Sequence, residues 1–331
     1  MSDPDSCSST PDASVRIAVV IPCFNEAAAV HATVTEMAAA LPGAEVHVFD
    51  NASTDDTAGI ARSAGAIVHH VSERGKGNVV RRMFADVEAD LYVMVDGDAT
   101  YEAAAAPVLV ELALTHGLDM VVGERITAPS TDGEEYRSGH VLGNKVFTGL
   151  YRRLFGTDYN DVFSGYRVMT RRFVKSFPAM TTGFDIETEL IVHAADLQVG
   201  VGERPTAYVA RPDGSESKLS TYQDGWRILR SAMRLYRDSS PSRFYGYLAV
   251  LTTVLAWALG IPVILDFLDT GEVARYPTAF LAASIQVMAL TLLTAGIIIA
   301  AVRRANREQR RLVYLSHPAP PGFGRVAPTD A

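Results

Sequence analysis

The sequence predicts an α/β domain built on a mostly parallel sheet with helices on both faces, followed by an interfacial amphipathic helix and a two-helix transmembrane hairpin. Three observations predict it. Short apolar runs alternate with helical stretches up to about residue 123, a polar cluster follows several of those runs, and residues 244–302 are almost uncharged. Unbroken apolar strands joined by helices belong to parallel sheets covered on both faces.

Residues 1–14 are rich in Ser, Asp and Pro, lack both the basic start and the apolar stretch of a secretory signal, and are expected to be a disordered tail. The domain is expected to cover 15–219. Strands are predicted at 17–21, 46–49, 67–71, 91–95 and 120–122, and helices at 26–40, 55–64, 77–86 and 103–115. The first strand is too short to cross a bilayer. Residues 127–139, with Pro129, Asp132, Gly133 and Gly139, read as a mobile loop that can act as a lid.

Over 220–240, Trp226, Leu229, Met233 and Tyr236 recur at helical spacing, and Arg227, Arg230, Arg234 and Arg237 form a parallel basic stripe. That pattern suits a helix lying on an anionic membrane surface. The hairpin follows at 244–302, with spans at about 244–268 and 279–302, each longer than the roughly 20 residues that hydrocarbon requires. Pro262 and Asp266 mark the far end of the first span. Arg303, Arg304, Arg307, Arg310 and Arg311 follow the second span, whereas the connector has only Arg275. By the positive-inside rule, the domain and both termini of this integral membrane protein face the cytoplasm. Residues 303–331 are expected to be a basic, then Pro-rich, cytoplasmic tail.

The 331 residues carry a formal charge of −8, which argues against general nucleic-acid binding because that needs a basic surface. Cys7 and Cys23 are the only cysteines, too few for a disulfide framework or a thiolate metal cluster, and this fits a reducing compartment. The eight histidines show no metal-ligand grouping.

Ligands of doubly covered sheets bind outside the carboxyl ends of the strands. There Asp96-Gly97-Asp98 can turn two carboxylates onto one hard cation, Mg²⁺ or Mn²⁺, which would also hold a diphosphate. Such pairs also occur as helix caps and solvated turns. Asp50 can accept from a nucleobase imide or a ribose hydroxyl, and Ser53 and Asp55 can cap the next helix. Arg74-Gly75-Lys76-Gly77-Asn78 offers a flexible backbone and a cation beside a helix start. It is not a Walker A loop, since it lacks that motif's earlier Gly and its Ser or Thr after the Lys.

Six motifs carry a family resemblance: Val20-Ile21-Pro22-Cys23-Phe24-Asn25-Glu26, Asp50-Asn51-Ala52-Ser53-Thr54-Asp55-Asp56-Thr57, Gly75-Lys76-Gly77, Asp96-Gly97-Asp98, Asn160-Asp161-Val162-Phe163-Ser164-Gly165-Tyr166-Arg167, and Arg211-Pro212-Asp213-Gly214-Ser215-Glu216-Ser217-Lys218-Leu219. In order and spacing the chain resembles the family 2 glycosyltransferases of GT-A (Rossmann-like) fold. Within them it is similar to the polyprenyl-phosphate glycosyltransferases of the dolichyl-phosphate mannose synthase type. The resemblance runs from about residue 17 to 240, and the hairpin extends it towards the lipid-carrier branch.

The resemblance implies a nucleotide-sugar donor held by Pro22, Asn25, Glu26, Asp50, Lys76 and Asp96, with Asp96 and Asp98 at a Mg²⁺ or Mn²⁺ ion. Relatives often have a Gln two places after the second Asp, where this chain has Thr100. Asp161 falls at the position of a catalytic or acceptor-site carboxylate, and also fits a turn cap before Ser164-Gly165. A lipid phosphate is already largely ionised at neutral pH, so positioning can outweigh proton removal. Arg211, Ser215, Ser217 and Lys218 can contact diphosphate or lipid phosphate at headgroup height, or simply be solvated. Glu187 and Glu189 can lie near the sugar or cap a helix.

The implied reaction is inverting transfer of one sugar, from UDP-glucose or UDP-N-acetylglucosamine, to an undecaprenyl-type polyprenyl phosphate at the cytoplasmic face of the bilayer, as a step in making a cell-envelope glycan. The partners are the nucleotide sugar, the lipid phosphate and the membrane, with no nucleic acid; homo-oligomerisation is left open. One rival is a membrane enzyme that makes a polysaccharide or glycolipid; polysaccharide synthases usually carry Gln-x-x-Arg-Trp and more spans, whereas here Gln223 is followed by Trp226-Arg227 in the reverse order. Another is an inactive nucleotide-sugar-binding scaffold, against which the retained Asp96 and Asp98 argue.

Overall fold

The structure, a computed structural model, describes residues 14–127, 160–183, 186–209 and 240–324, together with Gly149, Arg230, Met233, Tyr236 and Arg237. The chain divides into two compact units, one of Met1–Arg152, Thr157–Thr221 and Arg310–Ala331, the other of Arg153–Gly156 and Tyr222–Gln309.

The first unit begins with β1 (Ile17–Cys23), α1 (Val30–Ala40), β2 (Glu45–Asp50), α2 (Thr57–Ser63), β3 (Ile67–His70), α3 (Lys76–Asp86), β4 (Leu91–Met94), a 3₁₀ turn (Ala103–Ala105), α4 (Ala106–His116) and β5 (Met120–Thr127). It continues with β6 (Arg167–Thr170), α5 (Arg171–Ser176), α6 (Ile186–Leu197) and β7 (Val201–Tyr208). These strands form one sheet in the order β3-β2-β1-β4-β6-β5-β7. Only β6 is reversed: β1 pairs in parallel with β2 and β4, β2 with β3, and β5 with β7, while both partners of β6 run antiparallel to it.

Val19 and Ile21 of β1 face a core shared with Val34 and Met37 of α1, Val48, Val93, Leu109 and Val168. On the other face Phe84 packs edge-on against Tyr92 and Phe177, and Phe173 and Phe177 pack on His193. With both faces covered, β1 and β4 can be apolar throughout, as the unbroken runs require. Elements start later or run longer than their patterns alone indicate. A turn over 26–29 precedes α1, whose first residue is Val30, and β5 runs to Thr127 because it is paired with β7 over its whole length.

The end of the chain belongs to this unit. Asp119, 2% exposed, accepts from Arg172 Nε (2.6 Å), Thr170 Oγ1 (2.7 Å) and Tyr314 Oη (3.0 Å). The Arg172 guanidinium lies over the rings of both Tyr314 and Phe323, 4.7 and 4.6 Å from their centroids.

In the second unit, α7 (Pro241–Thr270) and α8 (Tyr276–Ser316, its last residues in the first unit) are long and apolar enough to cross a membrane. Most of their large apolar side chains are exposed, among them Leu251, Val254, Trp257, Leu290 and Ile297. Gly260 faces Ala282, and Gly296 faces Tyr245, so the two run antiparallel. Helix α8 continues through the basic run to Ser316, and α7 passes Pro262 without ending. Asp266 pairs with Arg275 of the connector at 3.4 Å. Arg230, Met233, Tyr236 and Arg237 are helical; the rest of the expected interfacial helix before Ser240, and all but Thr127 of the expected lid, lie outside the described residues.

Candidate active site

The site is built at the carboxyl ends of β1, β2 and β4 by loops tied to one another. After β1, Asn25 takes a left-handed conformation (φ 54°), and its backbone N–H donates to Ser53 Oγ (3.0 Å) while its Oδ1 accepts from Thr54 N–H (2.8 Å). Asp55 accepts from Ala27 N–H (3.2 Å), from Thr57 N–H (3.1 Å) and from the Thr57 hydroxyl (2.5 Å). It therefore caps the start of α2 and ties the first loop to the second. Ser53 does not cap α2, because its hydroxyl is the acceptor for Asn25 and its N–H donates to Asp50 Oδ1. Asn51 fixes the third loop, donating to the carbonyls of Val71 and Glu73 and accepting from Gly75 N–H (2.8 Å).

Asp50 is 4% exposed at the end of β2, with Oδ2 3.3 Å from His70 Nδ1. Pro22 and Glu26 stand at the end of β1 and in the loop after it, and Glu26 N–H donates to Thr57 Oγ1 (2.9 Å). Lys76 opens α3. Its ammonium lies 2.5 Å from Asp96 Oδ1 and 2.5 Å from Glu187 Oε1, the latter in the first turn of α6. Burial works to lower the pKa of Lys76, but the two carboxylates outweigh it and hold the ammonium above the ordinary lysine range.

The turn Asp96-Gly97-Asp98 follows β4 closely. A Cβ at Gly97 would overlap Cys23 Sγ, and one at Gly165 would overlap the Asp96 carboxylate, so both approaches need glycine. Asp98 is 4% exposed and its Oδ1 accepts from the Thr100 hydroxyl at 2.6 Å. Thr100 thus orients the second aspartate. Among the described residues no three His, Cys, Asp or Glu side chains gather as a metal cage. Two carboxylates with hard oxygens still fit Mg²⁺ or Mn²⁺, ions commonly held by one or two carboxylates with diphosphate and water in the other positions.

Asp161 belongs to a second cluster. Arg125, at the end of β5, grips it with Nε on Oδ2 (2.6 Å) and Nη2 on Oδ1 (2.8 Å). Burial raises the Asp161 carboxyl, but the Arg125 hydrogen bonds and charge prevail and hold it below the ordinary carboxylate range. Asp161 also accepts from Phe163 N–H (3.2 Å), so the turn-cap role is filled too. Glu203 on β7 accepts the N–H groups of Asn160 and Asp161, and Arg167, fully buried, donates to the carbonyls of Ser164 and Val162. Burial, aided by the charges of Glu124 and Asp161, lifts the Glu203 carboxyl above its usual range against those two N–H bonds.

Asp50, Asp96 and Asp98 therefore stand at strand ends and Lys76 at the start of α3, and Lys76 and Asp96 touch. Asn25 spends its side chain on Thr54 and shapes the loop. Arg211, Ser215, Ser217 and Lys218 lie outside the described residues. Glu189 accepts from the N–H groups of Met180 and Thr181, a structural role. Arg125 and Glu203 are additions from the structure, which also shows what Arg167, until then only the end of a motif, is bonded to. Arg125 carried one sequence signal, a cation just past an apolar strand.

A family model, glycosyl transferase family 2, matches residues 18–177. The chain is 30% identical to glycosyltransferase AglJ of Haloferax volcanii over 305 residues, 92% of this chain and 98% of that one. It is 27% identical to a dolichyl-phosphate hexose transferase of the same organism over 219 residues, 66% of this chain and 93% of that one. Among solved structures, glucosyl-3-phosphoglycerate synthase of Mycobacterium tuberculosis, crystallised with Mn²⁺, UDP and glucosyl-3-phosphoglycerate, has a TM-score of 0.55 at 22% identity, covering 69% of this chain and 81% of that one. The sheet is thus of the GT-A type. With a relative 30% identical over 92% of this chain and 98% of its own length, the chain belongs to glycosyl transferase family 2.

Proposed function

We propose that this glycosyltransferase moves a single sugar from a nucleoside-diphosphate sugar, UDP-glucose or UDP-N-acetylglucosamine, to a polyprenyl phosphate of undecaprenyl type at the cytoplasmic face of the membrane. The observation that carries this reading is the pairing, in one chain, of the Lys76–Asp96–Asp98 cluster with two membrane-length apolar helices. Relatives include a dolichyl-phosphate hexose transferase, and a structural neighbour has been crystallised with UDP and either Mn²⁺ or Mg²⁺.

On this reading Asp50 meets the nucleoside, with Pro22, Asn25 and Glu26 shaping that end of the pocket. Asp96 and Asp98 would hold Mg²⁺ or Mn²⁺ beside the diphosphate, and the ion supplies charge neutralisation for the departing group. Lys76 adds a fixed positive charge on the same side. An oxygen of the lipid phosphate attacks the anomeric carbon as the bond to the diphosphate breaks, which inverts that carbon. The nucleoside diphosphate leaves carrying the electron pair of that bond. The attacking oxygen needs no base, and Asp161, held ionised by Arg125, serves to position that arginine for an acceptor phosphate. Arg211, Ser215, Ser217 and Lys218 are proposed to help hold the same phosphate.

Purified full-length protein incubated with undecaprenyl phosphate and a panel of nucleotide sugars tests this by mass spectrometry of the lipid. A product heavier by one hexose or N-acetylhexosamine residue is expected, with Asp98→Ala abolishing it while the protein still fractionates with membranes. A polymeric product, or unchanged turnover in Asp98→Ala, overturns the proposal.

A further inference from the structure

Glu187 has no part in the reaction above, yet it is 3% exposed and its Oε1 touches the same ammonium as Asp96. Lys76 therefore bridges two carboxylates that belong to distant parts of the chain. Its backbone is clamped. Gly75 N–H donates to Asn51 and Gly77 N–H to the Thr182 carbonyl (3.2 Å), and a Cβ at Gly75 or Gly77 would overlap the carbonyl of Thr182 or Thr181. Any exchange of partner by Lys76 must take place along its four-carbon side chain.

An ammonium 2.5 Å from Asp96 Oδ1 sits where a divalent ion would have to share that carboxylate. Two cations on one carboxylate repel, so an ion gains most from Asp96 when the ammonium leans elsewhere. Glu187 gives it somewhere to lean. Resting on the reading of Asp96 and Asp98 as cation ligands in the donor pocket, we propose that Lys76 competes with the divalent ion for Asp96, and that Glu187 is the positioning residue that keeps the ammonium in the site when Asp96 changes partner. A donor diphosphate offers the ammonium a further anion and thereby releases Asp96, so donor and ion bind cooperatively, each strengthening the other by the same factor.

The test is Mn²⁺ binding to the full chain in detergent, followed by electron paramagnetic resonance with neither lipid nor sugar present, with and without UDP. Lys76→Gln is expected to bind Mn²⁺ about tenfold tighter than the parent in the absence of UDP and to gain less from UDP. Glu187→Gln is expected to bind it several-fold more weakly, because the ammonium then rests on Asp96 alone. Lys76→Arg, which keeps the charge, should stay near the parent. Arg82→Gln removes a charge from the exposed side of α3 and should change affinity less than twofold.

Unchanged or weaker Mn²⁺ binding in Lys76→Gln overturns the competition, as does an equal shift in Arg82→Gln. If Lys76→Gln fails to fold, Glu187→Gln decides, and the absence of weakening there overturns it. Failure of every variant and the parent to bind Mn²⁺ removes the cation reading itself. Mn²⁺ binding that ignores Lys76 removes only the competition, and the lipid product reports separately on the proposed reaction.

Discussion

A carboxylate gripped by a guanidinium through two hydrogen bonds, as Asp161 is by Arg125, has its basicity spent on the arginine. Removing the Arg125 side chain would leave that buried charge without its guanidinium counter-ion, a change that costs about 3–5 kcal/mol in comparable pairs. The pH dependence follows from the sign of the shift. In the parent the folded pKa of Asp161 lies below its unfolded value, so its contribution is complete above about pH 5 and is lost as pH falls through the folded pKa. In Arg125→Gln, burial dominates and the pKa rises above the unfolded value, so folding takes up a proton and the deficit shrinks as pH falls from 7 to about 5. Thermal melts of both proteins at those two pH values read this directly; a deficit that stays constant means Arg125 does not govern Asp161. The positions of Asp50, Asp96 and Asp98 were legible because each belongs to a short local motif at a strand end, and that of Lys76 because its glycine-flanked motif opens a helix. Arg125 and Glu203 gain their roles only from contacts between strands and the loop before β6, and the Lys76 contact of Glu187, a residue the sequence left between sugar neighbour and helix cap, comes from the packing of α6 beside α3; no spacing along the chain encodes either.

The elements around the turn after β4 show why glycine stands between the two aspartates. Gly97 lies against Cys23 at the end of β1, and its nearest foreign atom is Sγ; Ile21 Cγ2 and the Pro22 carbonyl stand farther off, at 3.4 and 3.5 Å. Gly97→Ala should therefore push the turn off β1 and misplace both carboxylates, lowering turnover about hundredfold, the scale expected for an ångström of displacement. Cys23→Ala in the same chain removes the obstructing atom and should restore about tenfold, a coupling that a double-mutant cycle on lipid-product formation measures. No recovery would place the obstruction elsewhere in β1. The alternating half of the sheet, β1 to β5, was readable because each strand is an apolar run between helices. Strands β6 and β7 were not, since β6 carries the buried Arg167 and β7 mixes Gly202, Glu203, Arg204 and Pro205. Helix α8 outruns its apolar span because Arg310 to Ser316 continue it, and Tyr314 binds Asp119. That contact makes part of the expected basic, then Pro-rich, tail a packed element, and its partner lies far back in the chain, beyond the reach of composition.

For the molecule as a whole, the proposed reaction requires that α7 and α8 behave as a membrane hairpin and not as separate anchors. The pairing of Gly260 with Ala282 and of Gly296 with Tyr245 fixes one antiparallel register, and small residues on the facing sides let the two backbones approach closely, the device that substitutes for hydrophobic burial where the solvent is lipid. A Cβ at Gly260 would lie 3.6 Å from that of Ala282, inside the range a disulfide spans. Gly260→Cys with Ala282→Cys, in a chain carrying Cys7→Ser and Cys23→Ala, should oxidise within one molecule. Two thiols disappear in titration while the mobility on a non-reducing gel remains that of a monomer. Adding Gly296→Leu, which forces a side chain into Tyr245 where even the Cβ would approach to 2.8 Å, should slow that oxidation several-fold by prising the helices apart. Cross-linked dimers in place of the internal bond would mean that these faces meet between copies, and the hairpin register would then have to be redrawn.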